Sequence, residues 1–406
     1  RLSEIDALLP ALLELNIRQA RSDGRPSLAA ALEHLLDNIL LQLSAQQPAP
    51  PVPPPRPASK TAAAPARVLF VAPAHGRPPP RLNLPAAALR ALGCETATAS
   101  AIAPEHLSRF DVVVAARPHA HPELVKGLSA CAGAGLRVVL DLDSDFKLMP
   151  AAHPDYERLG LGQPERASAY LTALRLADVI CVPSEALAHS LRADGFPAHV
   201  LPPGWRRPET PWEKPPLVQR LLTTWQTGPL NPRPLSLGWF GGPGHAEDVA
   251  VIRRQVIRLL REFAHLRLVI GGDEAVYRLF EVVPAERRQF IPADNFEDYP
   301  SLLAWVDLLL APLRSTPFNQ TQSDLPLVGA GARRLPWVAS PIPAYRAWGA
   351  GGLLADTPED WYSQLRRLII APEERRALGE AGHHKAGERE MSSLASEWLR
   401  VVARHT

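Results

Sequence analysis

Three short strings in this chain carry residues whose types and spacing could do chemistry. The first is Gly241-Gly242-Pro243-Gly244-His245-Ala246-Glu247-Asp248, directly after the apolar run LSLGWF. Glycines let a backbone approach a phosphate closely, and a helix starting near Glu247 offers its free N–H groups and the positive end of its dipole. His245 adds a side chain that could hydrogen-bond a diphosphate or a sugar hydroxyl; the plain alternative is a glycine turn with an exposed histidine. The second is Phe318-Asn319-x-x-Gln322-Ser323-Asp324-Leu325, a polar loop opening a helix after the apolar run DLLLAP. It too presents an anion-binding helix start, although Ser323 or Asp324 would cap a helix without any ligand. The third closes RVVLDLDSDF with Asp141, Asp143 and Asp145. Carboxylates just past a strand can hold hydroxyl groups, act as a base or bind a divalent cation, or simply form a solvated acidic turn. Arg117, His119 and His121 follow the run DVVVAA and reach the same edge, though a lone histidine is more often structural.

All of these sit at the carboxyl ends of apolar runs, which is where open α/β sheets bind ligands. Buried parallel strands are expected at 68–72, 111–116, 137–142, 178–183 and 199–202, with helices between them. Ser184 is the expected N-cap of one such helix and Gly195 its stop. Residues 203–234, rich in proline and tryptophan, break the alternation and read as an inter-domain connector. A second series comes next, at 235–240, 266–270, 289–291, 307–312, 336–340 and 352–355, then helices from Pro372. Val249, Ile252, Val256, Leu259, Leu260 and Phe263 form one helical stripe within it. The expected domains are 67–205, a connector 206–234, and 235–406 including the closing helices.

The N-terminal region differs in kind. Leucine stripes over 3–20 and 27–43 predict a helical hairpin within 1–45. It packs on the body of the chain, docks a protein partner or pairs with a second copy. A proline-rich tether, 46–66, comes after it and is expected to be extended polyproline II.

The strings resemble those of GT-B glycosyltransferases, the large retaining family that uses nucleotide sugars. G-W-F-G-G-P-G-H-x-x-D is similar to a G-x-x-G-x-x-x-H-x-x-D pattern found in a subset of them. Ala311 to Tyr345 resembles their donor segment, F-N-x-x-K-S-D-L with a Glu and then A-x-G-x-P-V-V-A-S. Gln322 stands in place of that Lys and Gly329 in place of that Glu. DLDSDF resembles their D-x-D-D-D segment, while PSEAL and VLPPGW are similar to segments near their domain junction. The resemblance spans roughly 67–400 and implies an α/β protein of two tandem Rossmann-like domains facing a cleft. It implies transfer of a sugar, with retention, from a nucleotide-diphosphate donor to a hydroxyl of a glycan or surface polymer. The nucleotide sugar is then a co-substrate, with no tightly bound cofactor and no metal.

The donor side would comprise Gly241, Gly242, Gly244, His245, Arg314, Phe318, Asn319, Gln322, Ser323, Asp324 and Arg333. Arg314, Arg333 and Arg334 are the charges near enough in sequence to stand in for the Lys. Arg117 and Asp141 would lie on the acceptor side, with Asp143, Asp145 and His119 at the reacting atoms. The alternative is a catalytically impaired GT-B scaffold or binding protein within a larger assembly.

Composition narrows the setting. The chain has 406 residues, and its 44 basic and 42 acidic residues leave a net charge of +2, which does not point to nucleic acid. Its three cysteines, Cys94, Cys131 and Cys181, lack metal spacing and fit a reducing cytoplasm. No apolar run is long enough for a membrane span, so membrane association would come only through partners. The first residues, RLSEIDALLP, do not read as a signal peptide, and a start at Arg1 fits a fragment of a longer polypeptide.

Overall fold

The structure, a computed structural model, describes residues 66–72, 80–207, 234–292 and 302–403, together with Leu28, Ala31 and Leu32, which are helical. The expected hairpin, tether and inter-domain connector otherwise lie outside the described residues. The chain divides into units 1–59 and 60–406, and both sheets belong to the second. Among the described residues no helix is long and apolar enough to cross a membrane.

The first sheet is parallel, in the order β2-β1-β3-β4-β5-β6. Its strands are β1 Arg67–Val71, β2 Glu95–Ala99, β3 Val112–Ala116, β4 Arg137–Asp141, β5 Val179–Val182 and β6 Ala198–Val200. Alternate side chains go to opposite faces, and both faces are covered. Leu69, Val113, Val138, Leu140 and Ile180 pack under helices α2 Pro122–Gly133, α3 Pro164–Leu176 and α4 Glu185–Ala193. On the other face Val68, Phe70, Val112, Val114 and Val139 meet helix α1 Pro80–Ala91. Strand β2 is absent from the expected set. Glu95-Thr96-Ala97-Thr98-Ala99 has no large apolar side chain and lies half exposed at the sheet edge, so it gives no apolar run to read.

The second sheet is also parallel, in the order β12-β11-β10-β7-β8-β9. Its strands are β7 Leu235–Phe240, β8 Leu266–Gly272, β9 Arg288–Pro292, β10 Leu308–Ala311, β11 Trp337–Ala339 and β12 Gly352–Leu354. One face packs on α6 Arg253–Glu262, which comes after the short α5 Ala246–Ala250, and the other on α7 Leu325–Ala332 and α8 Pro343–Trp348. Helix α9 Pro358–Ile370 joins α6 on the first of these faces, and α10 Pro372–Gly387 packs on α7. The strand order reverses between β7 and β10, which puts the sheet's switch point beside the glycine string.

The last helix, α11 Met391–Val402, comes from the stretch expected as the second domain, 235–406, and packs on the first sheet. Its stripe of Met391, Leu394, Trp398, Val401 and Val402 is buried against Val68, Phe70 and Leu82. The second sheet's faces are already covered, so the stripe returns to the face that α1 leaves partly bare. Arg137 Nε donates to Val401 O at 3.0 Å there.

Candidate functional site

Asp248 is the hub on the second domain. Strand β7 ends at Phe240, the glycine turn comes next, and α5 carries Asp248 back under it, 3% exposed. Its carboxylate faces three donors: His245 Nδ1 at 2.9 Å, Asn319 Nδ2 at 2.8 Å and Arg314 N at 3.0 Å. A carboxylate only accepts, so His245 carries its proton on Nδ1 and leaves Nε2 open. Burial alone would raise the Asp248 carboxyl; hydrogen bonds from His245, Arg314 and Asn319 outweigh it and hold it below the usual range. The Arg314 guanidinium pairs with Glu247 and lies 3.5 Å from Asp248 Oδ1. Asn319 also donates to Arg314 O at 3.0 Å, and Thr316 caps the short helix Pro317–Gln320 through Asn319 N at 3.2 Å. The ends of β7 and β10 are thus tied into one polar network.

The first domain reaches this network through His153. A side-chain carbon at Gly244, where φ is 100°, would stand 2.7 Å from His153 Nε2. The imidazole Nδ1 accepts Asp155 N–H at 3.1 Å, so Nε2 bears the ring proton and faces the glycine turn. Burial lowers the His153 pKa and favours this neutral form. No sequence pattern singled out His153, because its relation to Gly244 exists only across the domain junction. Phe318 crosses the same junction: it packs in the first domain's core, and Ser184 donates to Thr321 O at 2.7 Å.

The three aspartates at and beyond the end of β4 do not converge. Asp143 forms a bidentate pair with Arg117; its burial would raise its pKa, but the guanidinium dominates and lowers it. Arg117 has φ 47°, a left-handed conformation that costs a non-glycine residue energy and is held by that pair. Asp141 is 2% exposed and lies 2.7 Å from Arg81; burial pushes its pKa up to about 6. Asp145 is buried, accepting from Ser190 Oγ and from Lys147 N at 3.2 Å. His119 lies in the core at 2% exposure. Its ring centroid is 4.4 Å from Phe146 and 5.1 Å from Tyr170, and its Nε2 is 3.0 Å from Leu159 O. His119 and Asp145 therefore sit beneath the cleft, away from the edge where the strand-end rule placed them. His121 occupies the start of α2.

Around α7, Gln322 and Asp324 lie at the helix start, and Ser323 Oγ is 3.5 Å from Leu325 N. Arg389 Nη2 donates to Asp324 Oδ2 at 3.2 Å, a charge that sequence proximity could not reveal. Arg333 is the C-cap of α7, so the helix carries it ~12 Å from the anion-favouring end. Arg334 bonds Glu380 at 3.0 Å. A cavity of about 470 Å³ opens beyond β10, β11 and β12, lined among others by Arg314, Ser315, Ser340, Arg346 and Trp361.

No family model matches this chain, and no curated protein does. Solved structures do. A glycosyltransferase from Rickettsia africae superposes with a TM-score of 0.58 at 10% identity, over 84% of this chain and 98% of that one. The fold match is near-complete on both sides. The chain has the GT-B fold. A co-structure of S. aureus MnaA with UDP gives 0.50 at 13% identity, over 82% and 94%. A putative UDP-N-acetylglucosamine 2-epimerase from Listeria monocytogenes gives 0.50 at 13%, over 84% and 96%.

Within this GT-B frame, the network of His245, Asp248, Asn319 and Arg314 stands at the second domain's switch point, and His153 faces it from the first, close enough to Arg117 to feel its charge. The two sides offer cationic and N–H donors above a glycine turn, an arrangement suited to a phosphorylated ligand.

Proposed function

We propose that this chain is a GT-B glycosyltransferase that binds a nucleotide-diphosphate sugar between its two domains and transfers the sugar, with retention, to a hydroxyl of a glycan or surface polymer. The observation that carries this reading is the Asp248 network, which fixes His245, Asn319 and the backbone of Arg314 around the glycine turn. In the reaction the bond from the anomeric carbon to the diphosphate oxygen breaks and a bond to the acceptor oxygen forms. Charge then grows on the leaving diphosphate. The N–H groups of the glycine turn and His153 Nε2–H are pre-set donors for it, which is how such sites lower a barrier. Asp143, held below the usual carboxylate range by Arg117, is a weak base. The acceptor proton is therefore assigned to the departing phosphate, and Asp143 and Arg117 to orienting the acceptor. UDP in the MnaA structure supports a nucleotide diphosphate as the ligand class.

Calorimetry on the full chain with UDP, GDP and ADP tests this. Micromolar binding of one base, weakened at least tenfold by Asp248→Asn, is the expected result. Absence of binding by all three at millimolar concentration leaves the second reading, a scaffold that docks partners through residues 1–45. Gln322, uncharged where the resembled family has Lys, is the observation that favours it.

A further inference from the structure

Thirteen buried side-chain nitrogen or oxygen atoms among the described residues have no hydrogen-bond partner, and six of them belong to five residues at one place. They are Arg81 Nε and Nη2, Asp141 Oδ1, Gln322 Nε2, Asp324 Oδ1 and Arg389 Nη1. Arg81 comes from the first turn of α1 and Asp141 from the carboxyl end of β4, both in the first domain. Gln322 and Asp324 precede α7 in the second domain, and Arg389 lies where the chain crosses back toward α11. Arg81 Nη2 and Asp141 Oδ1 face each other as an ion pair at 2.7 Å, which leaves Arg81 Nε as the atom of that pair with no partner. Arg389 meets Asp324 through its other nitrogen, and the Arg81 charge also acts on Asp324. Arg81 with Asp141 and Arg389 with Asp324 are thus two neighbouring ion pairs, one from each domain, and Gln322 stands two residues before Asp324 at the helix start.

Unfilled buried polar atoms are costly and rare, so the four left beside these ion pairs call for a physical reason. The charges decide which. Two guanidiniums and two carboxylates nearly cancel, so a phosphate placed here would meet two carboxylates as well as two cations. Three unfilled N–H donors, Arg81 Nε, Gln322 Nε2 and Arg389 Nη1, beside the unfilled Asp324 Oδ1 suit groups that both donate and accept. Sugar hydroxyls are such groups, each giving one proton and accepting others.

We propose that Arg81, Asp141, Gln322, Asp324 and Arg389 read the hydroxyl groups of the donor sugar. The inference rests on the transferase reading and names the part of the donor that these residues take. A ligand reaches the group as the domains part, since the residues come from both sides of the junction. The sugar then fills hydrogen bonds that the protein alone leaves unmade, and an analogue lacking the hydroxyls gains nothing from them.

The test is calorimetry on the full chain with the nucleoside diphosphate of the preferred base and with its glucose and N-acetylglucosamine forms. The expected result is tighter binding of at least one sugar form than of the bare diphosphate. Asp141→Asn should then weaken that sugar form ~10–100-fold while leaving the bare diphosphate within about twofold. Gln322→Ala, which breaks no side-chain hydrogen bond among the described residues, should weaken it ~3–10-fold and covers the case that the aspartate variant misfolds. If the bare diphosphate binds and both variants weaken it as much as the sugar forms, the group holds phosphate, and the proposal is overturned with the transferase reading intact. If the diphosphate binds and the sugar adds nothing, the proposal is likewise overturned. If no nucleotide binds at all, the transferase reading fails and this inference falls with it.

Discussion

Two buried titratable side chains in the first domain respond to pH with opposite sign. His119 has its pKa lowered to about 4, chiefly by burial, so the fold favours its neutral form. Its contribution is complete above the unfolded value near 6.5 and is lost as pH falls toward 4, by up to roughly 3 kcal/mol. His119→Phe should therefore gain on the wild type as pH drops from 7 to 4.5, measured by urea unfolding at both values. A difference that does not change with pH would contradict the buried, neutral assignment. Asp141, raised to about 6, behaves the other way: its protonated form is favoured, and that stability is present below the unfolded value near 3.8 and lost as pH rises through 6. Asp141→Asn should accordingly compare best with the wild type above pH 6, read from melting temperatures at pH 5 and 7.5. The sequence placed both residues at strand ends; Asp141 does close β4, whereas His119 lies in the turn beyond β3 with its ring in the core. The sequence could not show which way a side chain turns. Phe146 and Tyr170 enclose His119 from segments 27 and 51 residues further along, and no local pattern announces them.

Elements were more legible than side chains, because long apolar runs flanked by glycine and proline leave few alternatives. The runs DVVVAA, DVICVP and DLLLAP began one residue early for a shared physical reason. Asp111, Asp178 and Asp307 stand outside their strands and accept the backbone N–H of Arg67, Val138 and Ser236 on the neighbouring strand at 3.1, 2.7 and 2.9 Å. Each aspartate closes the open start of the next ladder. Contacts between helices were not legible. Helix α7 lies against α10 through glycines, and a side-chain carbon at Gly331 would sit 2.5 Å from Gly382 O. That oxygen is backbone and cannot swing aside. Gly331→Ala should cost about 1–3 kcal/mol, and denaturant unfolding should show it as a lower midpoint with unchanged slope. An alanine tolerated at no cost would mean that the two helices separate more readily than this close approach allows. Helix α7 also carries the start where Gln322 and Asp324 stand, so the same variant should loosen nucleotide binding if the helix shifts.

The two domains are joined by two chain crossings that clip to each other. Trp205 N donates to Arg389 O at 3.0 Å, and Met391 N donates to Trp205 O at 2.8 Å. The indole Nε1 reaches Ala386 O at 2.6 Å, with the ring buried in the second domain's core. Gly204 is required beside it, because a side-chain carbon there would strike Met391 and Leu394. Trp205 and the returning segment 386–391 thus behave as one strap, and α11 beyond it seals the first sheet's outer face. Melting the second domain would release the strap and expose Val68 and Phe70, so the domains should unfold together. Trp205→Ala removes the buried indole and its hydrogen bond, at a cost of about 3–5 kcal/mol, while leaving both sheets and the Asp248 network untouched. Scanning calorimetry of the full chain should show one transition and that of the variant two, with nucleotide raising only the one that contains the second domain. A variant that still melts in a single step would show that the junction at Ser184, Thr321 and Phe318 suffices to bind the domains, and that the strap is merely a connection.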